Sequence, residues 1–261
     1  MNPPAAQSPT EQGEVSVRVH EGVATVRFSH PKGNSLPGIL LRRLAEAVSA
    51  LGEDDAARVI VLRSGEPGPF CAGASFDELR AIRDQAAGKE FFMGFARLIL
   101  AMRRVPKFVL ARVHGKTVGG GVGIAAAADY ALAHRDAQVK LSELAVGIGP
   151  FVVGPVIERK IGLAAFQALA VDATEWRDAA WAERHALFSR VVDTAAELDA
   201  VTDALAARLA ASNPDAMARL KRVFWEGTEH WDRQLEERAE MSGALVLSEF
   251  TRKALAAFAA R

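Results

Sequence analysis

Two glycine-bearing loops contain the residues best suited to bind an anionic oxygen. The first is Phe70–Ala74, and the second contains Gly119, Gly120 and Gly121. Each loop follows an apolar run that predicts a buried strand, and each precedes a helical pattern. A helix N-terminus leaves backbone N–H groups unpaired and carries the positive end of the helix dipole. Facing each other, the loops would form a backbone oxyanion hole, while ordinary strand-to-helix turns are the alternative for either loop alone.

A second glycine pattern at Gly121–Ala126 supports a different function. It fits the dinucleotide fingerprint G-x-G-x-x-A, and Glu143 ends the next predicted strand about 20 residues later. A nicotinamide-dependent oxidoreductase therefore stays open as a more remote alternative. Against it, the glycines begin six residues after the apolar strand that ends at Val113. The mainly helical remainder also offers no second βαβ half.

Other reactive residue types lack the spacing that their chemistry needs. Ser75 lies outside a G-x-S-x-G nucleophile elbow, and its position before Phe76 suits a helix N-cap. The six histidines show neither H-x-x-x-H nor H-E-x-x-H spacing. Cys71 lies among small residues and is interpreted as a packed thiol. The sequence therefore predicts no metal site and no nucleophilic serine.

Composition limits the partners and the compartment. The chain has 261 residues, of which half are apolar, and its 32 basic residues balance 32 acidic ones. It therefore has no net charge to attract nucleic acid or an anionic membrane. One cysteine excludes an internal disulfide framework, and no segment looks like a secretory signal or a membrane helix. We expect a cytoplasmic protein.

The order of the elements predicts an α/β fold with largely parallel strands. The expected strands are Val15–Val19, Val23–Phe28, Arg58–Ser64, Lys107–Val113 and a short run ending at Glu143. The helices expected before residue 155 are 37–51, 76–84 and 89–103. From Pro155 onward the pattern is almost wholly helical, and Trp225 and Trp231 are interpreted as packing residues. We divide the chain into a flexible arm (1–13), a core (14–195) and a C-terminal helical region (196–261).

Three segments together resemble the crotonase, or enoyl-CoA hydratase/isomerase, superfamily. They are FCAGASFDEL at Phe70–Leu79, VHGKTVGGGVGIAAAADYALA at Val113–Ala133, and AQVKLSELAVGIGP at Ala137–Pro150. The resemblance implies a crotonase-like ββα spiral core followed by a C-terminal helical trimerisation region. It also implies a homotrimer or a dimer of trimers acting on acyl-CoA thioesters. Coenzyme A then enters as part of the substrate, and no separate cofactor is implied.

The resemblance assigns roles to individual residues. The backbone N–H groups of Ala74 and Gly120 would hold the thioester oxygen, and Glu143 would be the acid and base. The residues implied to contact substrate are Ala72, Gly73, Gly119, Gly121, Gly123, Phe151 and Phe258. A strand-end glutamate satisfied by backbone amides is the alternative for Glu143.

Gly123 departs from the pattern, because many hydratases of the superfamily carry a first glutamate there. Adding water to a double bond is easiest with two carboxylates, whereas a Δ3-to-Δ2 double-bond shift needs one base. If Glu143 lies against Val146, Ile148 and Phe151, desolvation should raise its pKa. We expect hydration or isomerisation. Thioester hydrolysis, decarboxylation and a non-catalytic acyl-CoA-binding role remain alternatives.

Overall fold

A β-hairpin opens the part of the chain that the computed structural model describes, residues 12–259. Strands β1 (Glu14–His20) and β2 (Val23–Ser29) pair antiparallel. Glu21 and Gly22 form the turn with φ angles of 49° and 80°, as a short hairpin turn requires. The predicted hairpin is confirmed. The flexible arm predicted for residues 1–13 lies outside the described residues, apart from positions 12 and 13.

The remaining strands form one large sheet and one small sheet. They are β3 (Val59–Ser64), β4 (Val109–Val113), β5 (Thr117–Val118), β6 (Tyr130–His134), β7 (Gln138–Lys140), β8 (Arg177–Asp178) and β9 (Arg190–Val192). The main sheet has the order β1-β2-β3-β4-β6-β9 and is parallel from β2 onward. The small sheet has the order β5-β7-β8. The structure therefore confirms the α/β class.

Helices cover both faces of the main sheet. They are α1 (Gly38–Glu53), α2 (Phe76–Ala81), α3 (Gln85–Arg104), α4 (Gly120–Ala127), α5 (Gly154–Val171), α6 (Ala179–Arg184), α7 (Ala195–Ala210), α8 (Pro214–Phe224), α9 (Trp231–Leu245) and α10 (Glu249–Ala259). A short 3₁₀ helix occupies Leu144–Val146. No described helix is both long and apolar enough to cross a membrane.

The core forms on both sides of β3 because its side chains alternate between the two faces. Ile60 and Leu62 pack in the main core, which also contains Leu40 from α1. Val59 and Val61 pack in a second cluster with helical residues of the C-terminal region, such as Met217. The boundary proposed after residue 195 thus falls near the start of α7, a helix that packs against the main sheet.

Two details differ from the sequence-based expectations. The strand predicted to end at Glu143 is shorter, because β7 ends at Lys140 and Glu143 immediately precedes the 3₁₀ helix. The largely helical C-terminal part also contributes a strand, β9, to the edge of the main sheet. Trp225 and Trp231 pack edge to face with 5.7 Å between ring centroids, as expected for packing residues.

Candidate active site

Both glycine-bearing loops line the same pocket. The pocket contains about 560 Å³ of atom-free space, part of it open to solvent. Ala72, Gly73 and Ala74 line it from the first loop, and Gly119 and Gly120 line it from the second. The structure therefore brings together five of the residues singled out in the sequence.

Backbone hydrogen bonds hold the two loops side by side. The N–H of Cys71 donates to the carbonyl of Lys116 (3.2 Å), and the N–H of Val118 donates to the carbonyl of Cys71 (2.9 Å). Cys71 and Thr117 thus form an isolated parallel bridge between the segments. The thiol of Cys71 is buried, and burial raises its pKa to about 12, as expected for a packed cysteine.

Ala74 and Gly120 present backbone N–H groups at this pocket. Ala74 forms a parallel bridge with Leu36, but the bridging bonds are made by the carbonyl of Gly73 (2.8 Å) and the N–H of Ser75 (3.3 Å). The N–H of Ala74 takes no part in these bonds. Gly120 begins α4, and the first N–H groups of an α-helix have no intrahelical acceptor. Both groups can therefore donate to a ligand oxygen.

Glycine is required where these loops approach their neighbours. Gly73 has a φ of +88°, and a β-carbon there would lie 3.1 Å from the carbonyl oxygen of Val118. A β-carbon on Gly120 would lie 2.0 Å from Cε1 of Phe95, which cannot be accommodated without rearrangement. The absence of side chains therefore lets the second loop pack directly against the aromatic wall from α3.

Glu143 points its carboxyl group at the second loop. A β-carbon on Gly119, whose φ is +53°, would lie only 2.9 Å from Oε1 of Glu143. The N–H of Gly119 donates to the carbonyl of Lys140, which ties this loop to β7 just before Glu143 (2.9 Å). The other carboxyl oxygen, Oε2, is buried and has no hydrogen-bond partner among the described residues.

Burial changes the acidity of Glu143. Desolvation raises the pKa of its carboxyl group from 4.5 to about 7, and its own backbone N–H opposes this effect in part. Val146, Ile148 and Phe151, the expected apolar neighbours, all line the same pocket. A carboxyl group with a pKa near neutrality can both accept and return a proton. The alternative of a strand-end glutamate satisfied by backbone amides does not fit the unpartnered Oε2.

Gly121 and Gly123, both expected to contact substrate, are not among the described residues that line the pocket. A β-carbon on Gly121 would lie 2.6 Å from Cβ of Cys71. A β-carbon on Gly123 would lie 2.5 Å from Cγ1 of Val153, which itself lines the pocket. Val153 therefore occupies the space that a side chain at position 123 would need. The side chain of Phe258 lies outside the part of the chain described in detail.

The rest of the pocket wall is mostly apolar. Phe92 and Phe95 come from α3, a helix expected to supply a wall, whereas α1 contributes no lining residue. The lining residues not singled out in the sequence are these two phenylalanines and Phe76, Leu79, Val118, Ser142, Gly149, Pro150, Val152, Val153 and Ser242. The period of α3 indicates a buried face, but no sequence signal identifies Ser242, because this residue lies on α9, about 150 residues after Phe92 and Phe95.

Comparison with known proteins identifies the family of this chain. A sequence model of the enoyl-CoA hydratase/isomerase family matches residues 18–261. The chain is 26% identical over 246 residues to the probable enoyl-CoA hydratase of Bacillus subtilis (strain 168), covering 94% of this chain and 95% of that one. It is 32% identical over 183 residues to the mitochondrial methylglutaconyl-CoA hydratase of Rattus norvegicus, covering 69% of this chain and 58% of that one.

A solved structure shows the same fold. The enoyl-CoA hydratase from Mycobacterium avium superposes with a TM-score of 0.83 at 26% identity, covering 94% of this chain and 96% of that chain. Some relatives are much longer, and the match covers 17% of the peroxisomal bifunctional enzyme of Homo sapiens. The spiral fold expected from the sequence is confirmed, and it replaces the nicotinamide-binding alternative, in which Gly121–Ala126 would open a dinucleotide-binding unit.

Proposed function

The chain belongs to the enoyl-CoA hydratase/isomerase family, and from this premise we propose that it isomerises 3-enoyl-CoA thioesters to 2-enoyl-CoA thioesters. The observation that carries the proposal is the composition of the pocket. Of the described residues that line it, Glu143 alone has an ionisable side chain. A 1,3-proton shift needs one group that takes up a proton and returns it, whereas hydration is easiest with two.

The backbone donors supply the electrostatic part of the proposed reaction. The N–H groups of Ala74 and Gly120 would bind the thioester oxygen and stabilise the negative charge that develops on it. Removal of one such donor typically costs about 10²–10³ in turnover, so these donors are expected to be a large catalytic factor. Coenzyme A is part of the substrate, and the proposed steps use no further cofactor.

Glu143 supplies the proton transfer. Its carboxylate would take a proton from C2, which leaves a dienolate whose oxygen accepts bonds from Ala74 and Gly120. The protonated Glu143 would then return the proton to C4, so the double bond moves to C2 and the carboxylate is regenerated. The raised pKa of about 7 suits both steps, because proton transfer is efficient when the catalytic pKa lies near the working pH.

Hydration of a 2-enoyl-CoA thioester is the second candidate, because the relatives from Bacillus subtilis and Rattus norvegicus are named as hydratases. It would need a second group to hold the water. Gly123 has no side chain to do so, and Val153 fills the adjoining space. We therefore rank hydration below isomerisation. From the family we also propose assembly as a homotrimer or a dimer of trimers, which sedimentation would test.

The decisive experiment compares crotonyl-CoA and 3-hexenoyl-CoA as substrates, by following the absorbance of the conjugated thioester. Isomerisation predicts a rising signal with 3-hexenoyl-CoA and a stable signal with crotonyl-CoA. Loss of the crotonyl-CoA signal would instead establish hydration. Glu143→Gln should lower the isomerisation rate by about 10²–10⁴. Full activity of this variant would remove Glu143 from the mechanism.

A further inference from the structure

Three arginines stand side by side across the main sheet, on the face away from α1 and α3. Arg27 on β2 pairs with Arg63 on β3, and Arg63 pairs with Arg112 on β4. Paired residues of neighbouring strands project from the same face about 5 Å apart. Like charges in such positions repel one another, so this row requires negative charge nearby.

Two carboxylates neutralise the inner half of the row. Arg112 is only 1% exposed, and its Nε donates to Oδ1 of Asp199 over 2.6 Å. Its NH1 group also pairs with Glu66. Arg63 shares the same Asp199 oxygen at 2.9 Å through one NH2 group, which leaves its remaining N–H donors available. These bonds use both carboxylates near the buried end of the arginine row, those of Asp199 and Glu66.

The outer half of the row lacks such compensation. Within residues 12–259, neither Arg27 nor Arg18 has a carboxylate oxygen within 4.0 Å. Both side chains line a hollow with about 970 Å³ of atom-free space, part of it open to solvent. We call it the arginine hollow, and its described lining is Glu14, Ser16, Arg18, Thr25, Arg27, Arg63, Ser64 and Glu66.

The arginine hollow carries a net positive charge. Three arginines and two glutamates line it, and Glu66 is already bonded to Arg112. Asp199 already pairs with Arg63, so Glu14 is the remaining acid of the lining opposite Arg18 and Arg27. The guanidinium groups of Arg18 and Arg27 therefore line this space without a carboxylate partner among residues 12–259.

We propose that the arginine hollow binds a small phosphorylated anion at a site separate from the catalytic pocket. Guanidinium groups bind phosphate oxygens in pairs through parallel N–H bonds, so Arg27 and Arg63 on adjacent strands can hold one phosphoryl group between them. A doubly charged phosphoryl group also supplies the negative charge that the outer row lacks. The two sites share no lining residue.

Calorimetric titration with inorganic pyrophosphate at low ionic strength tests this proposal. The wild-type protein should bind with saturation, and Arg27→Gln should weaken binding by about tenfold or more through loss of charge-assisted hydrogen bonds. Arg219→Gln, an exposed arginine on α8, is the matched control and should bind like the wild type. No saturable binding, or equal affinity in the two variants, would overturn the proposal.

Titration with coenzyme A distinguishes this site from the catalytic pocket without depending on any turnover. If the sites are separate, Arg27→Gln leaves the affinity for coenzyme A unchanged, and saturating pyrophosphate does not displace it. If pyrophosphate competes with coenzyme A, and Arg27→Gln lowers the affinity for both ligands, the arginine hollow is part of the thioester site. A separate anion site is then excluded. Inactivity toward 3-hexenoyl-CoA would affect neither result.

Discussion

The acidity of Glu143 depends on burial, because no described residue gives its carboxyl group a cationic partner. Oε2 is buried without a hydrogen bond among the described residues, and Oε1 lies against the bare backbone of Gly119. Desolvation disfavours the charged form, so the pKa rises to about 7. The side chain therefore changes its protonation state in the range where the proposed reaction would operate.

The pH dependence of turnover follows from this raised pKa. The carboxylate is the form that removes a proton from C2, so kcat/KM for 3-hexenoyl-CoA should rise with pH and reach half of its maximum near the pKa of about 7. Initial rates between pH 5 and pH 9 measure the profile. The residual rate of Glu143→Gln should lack this step. A half-maximum near pH 4.5 would show that the carboxyl group is solvated during catalysis.

The contact between Gly123 and Val153 predicts how a second acid could be introduced. Gly123→Glu alone should destabilise the fold, because its β-carbon would meet Val153 at 2.5 Å, and overpacking a core costs about 1–3 kcal/mol. Adding Val153→Gly should restore much of the lost stability, because removal of the valine side chain opens space for the introduced glutamate. Urea unfolding of the single and double variants measures both effects. Equal stability of the single variant and the wild type would contradict the close contact.

At the scale of elements, the crossing of α3 and α9 positions the aromatic wall of the pocket. Gly88 on α3 faces Gly243 on α9, and a β-carbon on Gly88 would lie 2.8 Å from the Cα of Gly243. Helix α3 also carries Phe92 and Phe95 into the pocket, and α9 contributes Ser242. The crossing thus sets the distance between the C-terminal region and the catalytic pocket.

Gly88→Ala should separate these two helices and lower the free energy of unfolding by about 1–3 kcal/mol, despite the better helix propensity of alanine. Gly52→Ala in α1 is the control, because its β-carbon would make an ordinary contact of 3.5 Å with Pro106. We expect that control to be neutral or slightly stabilising. Denaturant unfolding compares the two, and equal effects would show that the crossing adapts to an added methyl group.

The sequence predicted the elements whose patterns were unambiguous. The alternating β1 and β2, the amphipathic α1 and the apolar β3 and β4 were all found close to their predicted bounds. Strand β6 was not predicted, because Tyr130–His134 follows an alanine-rich helix with no change in hydrophobicity. Strand β9 has three residues between helices, which is too short for a periodic signal.

The catalytic pocket was predictable only in part for a similar reason. The glycine loops and Glu143 occur in recognisable local patterns, so the sequence singles them out. Ser242 reaches the pocket through the packing of α9, and Val153 matters through its contact with Gly123. Neither relation has a local sequence signal, because each depends on how distant or looped segments pack in three dimensions.

At the scale of the whole molecule, a buried ion pair joins the C-terminal helices to the core. Lys221 on α8 donates to Oδ2 of Asp129, which lies just before β6 (2.8 Å), and to the carbonyl of Lys107 ahead of β4 (2.9 Å). Burial lowers the pKa of Lys221, and the nearby charge of Asp129 opposes that shift. The pair therefore links three separate parts of the chain.

Lys221→Met should cost about 3–5 kcal/mol of unfolding free energy, because it leaves Asp129 buried without its counter-ion. Adding Asp129→Asn should recover part of that loss by removing the unpaired charge, while the amide oxygen can still accept from the N–H of Val109. Chemical denaturation of the wild type, the two single variants and the double variant gives the coupling. Strictly additive losses would show that the two side chains act independently.

The bridge between Cys71 and Thr117 has a consequence for the energetics of turnover. Through β5 and β7, the same hydrogen-bonded ladder continues from the first loop to the segment that carries Glu143. The donor loops and the base are therefore spaced by main-chain geometry, which substitutions of side chains leave largely unchanged. In the proposed reaction, the backbone donors would be oriented before substrate arrives, so little reorganisation energy would be spent as charge develops on the thioester oxygen. Such a frame would keep stabilising an enolate while the side chains around it change which carbon receives the proton.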